Sequence, residues 1–180
     1  MGCDIHFYTE RYTSDSEYGG PRDLEDDRNS SIEVLLEERS KDDERSKRWV
    51  SADKWKLDDG YEDEEPWWDI PREHRICSGR NYYLFSVLAG VRDYDDSIKK
   101  LAEPKGVPED ASFGYKTVVK QWNGDGHSHS YFTLEELLNI NWDEYKQEDW
   151  LDDFINDTID KMKLIDPDPT KVRCVFFFDN

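Results

Sequence analysis

Cysteine is scarce in this 180-residue chain: Cys3, Cys77 and Cys174 are odd in number, far apart and without a C-x-x-C pair. That pattern excludes a disulfide framework and a thiolate zinc knuckle, and it suits a reducing compartment. Positive charge is also short. Lys and Arg total 24 against 43 Asp and Glu, for a formal net charge of −19. Non-specific nucleic-acid binding requires Lys and Arg to displace counterions from phosphates, so the composition argues against that class while leaving room for a local basic pocket. No apolar run approaches the roughly 20 residues needed to span a bilayer, and no apolar leader follows "MGCDIH". A myristoylation signal would need Ser or Thr where His6 stands. The expectation is a cytoplasmic protein without a membrane partner. There is no P-loop, no G-x-G-x-x-G and no G-x-S-x-G elbow.

Aromatic residues are plentiful. Seven Trp, ten Tyr and eight Phe make up 14% of the chain, enough large rings for a compact core even though apolar residues reach only 36%. The length suits a single domain over 1–180, with an acidic, loop-rich excursion at about 13–75. Residues 2–12 read as a strand, with Cys3, Ile5 and Phe7 on one face and Asp4, His6 and Tyr8 on the other. An amphipathic helix is expected over 31–48, a second strand over 48–57, and an irregular loop around Trp67 and Trp68.

The segment 80–93 has the strongest helical period in the chain and is apolar almost all round, with Asn81 as its N-cap. Residues 115–122, "YKTVVKQW", read as a strand running into the turn "NGDG". Thr133 and Glu136 form a capping box for a helix, and 148–165 reads as another amphipathic helix. Val172 to Phe178 is apolar on both faces, as a central covered strand requires. The fold class expected is α+β: a single, mostly antiparallel sheet of four to five strands with three to four packed helices.

Three of the four histidines fall in two D-x-H units, Asp4-Ile5-His6 and Asp125-Gly126-His127, and His129 follows in "DGHSHS". If "HSH" is extended, His127 and His129 share a face. Imidazole and carboxylate together suit a divalent transition metal such as Zn, Mn, Ni or Fe. One segment supplies too few ligands, so the two units would have to converge, with Asp4, His6, His127 and His129 as the metal set. The alternative is a His6 packed among aromatics and a polar hairpin turn without chemistry. The C-terminal "FFFDN" delivers Asp179 and Asn180 to the rim of the sheet. Arg80, Asn81 and Arg92 flank the central helix, whose N-terminal amides and dipole favour anions, and with Asn180 they are the expected substrate-binding residues.

Four segments carry a resemblance: "MGCDIH", "RNYYLFSVLAGVR", "DGHSHS" and "VFFFDN". With "GVPEDAS" before the histidine segment, they resemble a group of small proteins encoded by bacteriophages and prophages; residues 13–70 match only loosely. The resemblance implies phage origin and a bacterial host cell, and it implies no reaction.

Two functional expectations follow. In the first, the protein is a metal-dependent hydrolase acting on a nucleotide or other small phosphoester. Asp125 or Asp179 would be a further ligand or general base, and Arg80 and Asn81 would hold the small anionic ligand. In the second, it is a non-enzymatic acidic inhibitor or sponge that binds a basic host protein or a host ligand, steered by its charge.

Overall fold

A strand that is apolar on both faces is stable only between two covering layers. Val172–Phe178 (β6) is such a strand, and all seven of its residues are buried. The computed structural model describes residues 2–13, 48–58, 67–145 and 147–179. The helix expected over 31–48 lies outside them except for its last residue, as does most of the acidic excursion.

The main sheet also contains β1 (Ile5–Thr13), β2 (Arg48–Ser51) and β5 (His127–Thr133), in the order β2-β1-β6-β5 with every pair antiparallel. The helices are α1 (Tyr82–Ala89), α2 (Phe113–Trp122), α3 (Leu134–Leu138) and α4 (Ile159–Lys163), the last entered through a π-helical turn at Phe154–Thr158. The fold is therefore α+β, as the pattern predicts. No helix among the described residues is long and apolar enough to cross a membrane.

Alternation along β1 and β6 divides the core in two. Ile5, Phe7, Cys174, Phe176 and Phe178 face a layer made by α1, Leu151, Phe154 and Met162. Tyr8, Val175 and Phe177 face the other way, onto Trp55, Ile70, Tyr115 and Val118. Each fully buried Phe contributes about 2 kcal/mol. The three cysteines are free and buried, and burial pushes the Cys77 and Cys174 thiols up to about 12, as befits core packing rather than reactive thiolates.

Four local expectations need correction. Residues 115–122 are helical, not extended: they belong to α2, capped by the Ser112 side chain on the Tyr115 amide. Tyr115, Val118, Val119 and Trp122 recur at i, i+3, i+4 and i+7, and the second core rewards that face. The strand expected over 48–57 is split into β2 and β3 (Lys56–Asp58). β3 pairs with β4 (Trp67–Asp69), so the tryptophan pair forms a short strand rather than a loop. The Gln121 side chain both accepts from the Trp68 amide and donates to its carbonyl, which ties β4 to α2. The helix expected over 148–165 is regular only in its second half, and Trp150 stays 45% exposed instead of joining the buried face.

Candidate active site

The register of β1 on β6 pairs Ile5 with Phe178 and His6 with Phe177, so residue 4 comes to stand beside residue 179. The Asp4 amide donates to Asp179 Oδ1 at 2.7 Å, and the Asp179 amide donates to the Asp4 carbonyl at 3.3 Å. The second oxygen, Asp179 Oδ2, lies 3.1 Å from His6 Nε2. Both side chains are largely buried, with 11% of His6 and 16% of Asp179 exposed. The His6 ring stacks on Phe177 at 4.7 Å and lies 4.2 Å from Trp122. A neutral imidazole held this way donates its Nε2 proton to the carboxylate and keeps Nδ1 as a base. Nδ1 has no hydrogen bond among the described residues.

Asp4 turns its own carboxylate to Arg80, with Nε 2.8 Å from Oδ1 and Nη2 3.0 Å from Oδ2. This fork holds the Asp4 carboxyl below the usual carboxylate range. Gly2 permits it: a Cβ there would lie 2.8 Å from the Arg80 guanidinium carbon. Arg92 lies on the same segment, donating to the Gly2 carbonyl at 3.1 Å and to Tyr94 Oη at 2.9 Å. Asn81 caps α1 as expected, accepting from the Leu84 amide, and its Nδ2 donates to the Trp150 carbonyl. Arg80 and Arg92 therefore begin from protein partners, not from free anion-binding positions.

The histidine segment meets this end of the sheet, but not in the expected arrangement. His127 pairs with Phe178 and Ser130 with Phe176, so β5 carries one extra residue there. Ser128 takes that bulge in a left-handed conformation, φ 52. The extra residue breaks the alternation, and His127 and His129 turn to opposite faces instead of sharing one. His127 lies 6.2 Å from Phe178, while His129 lies 5.0 Å from Phe177, on the face that carries His6.

His129 Nδ1 is 3.3 Å from Tyr115 Oη, which donates to the Phe176 carbonyl at 3.0 Å. Burial lowers the His129 pKa, the Gly126 carbonyl acts in the opposite direction, and His127 lowers it further. His127 Nδ1 lies 3.0 Å from Ser128 Oγ, and its buried Nε2 has no hydrogen-bond partner among the described residues. Gly126 lets the turn press onto the same platform, since a Cβ there would come within 3.1 Å of the Phe177 ring.

His6 and His129 thus both pack on Phe177, Asp179 is bonded to His6, and Asp4 joins them only through its amide on Asp179. His127 is near in chain but turned away, and Asp125 is exposed in the turn, its amide bonded to the Trp122 carbonyl. Among the described residues, no three His, Cys, Asp or Glu side chains stand together as an ion's ligand set. Asn180 lies outside the described residues. Trp122 and Tyr115, which contact His6 and His129, went unseen in the sequence because their segment reads as a strand; the seven-residue spacing between them was the signal. No protein-family model, curated protein or solved structure matches the chain.

Proposed function

We propose that this chain, of phage origin, is a hydrolase of small phosphoesters whose centre is the His6–Asp179 pair. The observation that carries the reading is the 3.1 Å contact between His6 Nε2 and Asp179 Oδ2, in a carboxylate already fixed by the Asp4 amide. Asp179 orients the imidazole; Nδ1 takes a proton from the water as its oxygen bonds to phosphorus, the ester P–O bond breaks, and the leaving alkoxide takes that proton back from the imidazolium. Arg80, one of the cations at this end of the sheet, takes the developing negative charge on the phosphoryl oxygens. A divalent transition metal (Zn, Mn, Ni or Fe) belongs to the reading as well. His127, on the opposite face of the sheet, has a buried Nε2 without a hydrogen bond among the described residues; in the tautomer protonated on Nδ1 that nitrogen is a lone pair for one ligand position, and the remaining ligands would have to come from outside the described set. When bound, such an ion lowers the pKa of a water and polarises a phosphoryl oxygen.

The test uses protein purified without chelator, assayed on p-nitrophenyl phosphate and bis(p-nitrophenyl) phosphate, with metal content measured alongside. Turnover that disappears in His6→Ala supports the reading. No turnover by the wild type, with or without added Zn, Mn, Ni or Fe, overturns it. The net charge of −19 favours a second reading, an acidic binder of a basic host protein. Salt-sensitive capture of one basic protein by an inactive enzyme would favour that reading over the first.

A further inference from the structure

Resting on the reading of the His6–Asp179 end as the working end, we infer that the depression beside it binds the aromatic ring of its substrate, so that the ligand is a nucleoside phosphate rather than a ringless phosphoester. The depression is open, has a volume of about 500 Å³ and is lined by Arg80, Asn81, Tyr82, Tyr83 and Trp150. Two of its aromatic rings are large and solvent-facing, with Tyr82 40% and Trp150 45% exposed.

Exposed rings of this size are ordinarily mobile, but Trp150 is held at two points. Its carbonyl accepts from Asn81 Nδ2, and its ring meets the edge of Tyr83 at 5.1 Å. Tyr83 is itself fixed, its hydroxyl donating to the Tyr145 carbonyl at 2.6 Å. An exposed ring packed along one edge, on a backbone anchored beside it, is a stacking platform partly in place, so the cost of ordering it on binding is reduced.

Arg80 supplies the complementary charge. Its Nε and Nη2 are spent on Asp4, which leaves the Nη1 side of the fork without a hydrogen bond among the described residues. A guanidinium can bind one carboxylate side-on and still offer its other edge to a phosphate. Arg80 is also the physical link to the dyad: it grips Asp4, and the Asp4 amide grips Asp179. A planar base joined to a phosphate through a ribose satisfies both features together.

Calorimetric titration of the full chain with AMP, ribose 5-phosphate and adenosine tests this. AMP is expected to bind at least about tenfold tighter than ribose 5-phosphate, the range a single base–aromatic stack supports. Trp150→Ala should bring AMP down to the affinity of ribose 5-phosphate while leaving the latter unchanged, and Trp150→Phe should restore most of the difference. Arg80→Gln should weaken AMP and ribose 5-phosphate alike. Thermal melts of each variant identify any that fails to fold, and the wild-type comparison of AMP with ribose 5-phosphate then carries the test. Equal affinities for AMP and ribose 5-phosphate, or AMP binding untouched in Trp150→Ala, would overturn the inference. If phosphoesters are hydrolysed without any preference for a ring, the inference fails and the dyad stands. If AMP binds as expected but no phosphoester is turned over, the dyad fails and the ring site stands.

Discussion

The two ends of the β1–β6 ladder each hold a bonded pair of polar side chains, and they are finished in opposite ways. At one end Glu10 faces Arg173 across the strands, with side-chain exposures of 1% and 4%. Every polar edge there is used. Glu10 Oε1 accepts from the Ser112 amide and Oε2 from Arg173 Nε; Arg173 also donates to the Asp110 carboxylate and carbonyl and stacks 4.1 Å over Trp49. At the other end His6 and Asp179 are bonded to each other, and among the described residues His6 keeps a nitrogen unspent, Arg80 nearby keeps an edge, and His127, turned to the opposite face, keeps a buried Nε2. A saturated pair can only hold the fold together. An unsaturated one has capacity left for a ligand, and the proposed function rests on this contrast, not on the count of charges.

The largest expected effect is at the saturated end. Arg173→Ala strands the buried Glu10 carboxylate and should cost about 3–5 kcal/mol of stability, read as a drop in the urea midpoint. A loss under 1 kcal/mol would mean the pair is not what joins β1 to β6. The open end should behave in reverse. His6→Gln should lower phosphoester turnover by about 10² or more with the unfolding midpoint little changed, since general-base catalysis contributes on that scale. A variant that unfolds instead would make His6 a core residue.

Next comes a pH slope near the closed end. The Asp53 carboxylate accepts from the amide and hydroxyl of Thr9, and burial raises its pKa to about 7 from 3.8. Between those values the folded chain binds more protons than the unfolded one, so stability should fall as pH rises from about 4 to 7. Asp53→Asn should remove that component of the slope; urea midpoints measured across the window with an unchanged slope would contradict it. The smallest effect expected is from Gly2→Ala. Its Cβ displaces the flexible Arg80 head, so ribose 5-phosphate affinity should fall a few-fold while stability moves by less than about 0.5 kcal/mol.

What could be read in the sequence was local. The alternation of Cys3, Ile5 and Phe7 against His6 and Tyr8 is set by the pleat alone, and it holds. So do the Asn81 cap and the Thr133–Glu136 capping box, whose signals span three residues. The fully covered β6 was visible in "VRCVFFF" because nothing but two packed layers suits it. Residues 115–122 failed because Val, Tyr and Trp satisfy a strand pattern as well as a helical one, and only the neighbouring core decides between them. The bulge at Ser128 has no signature in "HSHS", yet one left-handed residue turned His127 away from His129. Glu10 and Arg173 are 163 residues apart, and pairing at that distance follows from strand register rather than from spacing. The same is true of the Asp179–His6 contact: the sequence nominated both residues without pairing them.

The most direct measurement is the phosphoester turnover of Asp179→Asn set beside its urea unfolding curve. Turnover should fall by about a hundredfold or more, with a midpoint close to wild type, because the amide keeps the shape of the carboxylate but loses its charge and turns a donor instead of an acceptor toward His6 Nε2. Wild-type turnover in Asp179→Asn, or turnover lost only in step with unfolding, would contradict it.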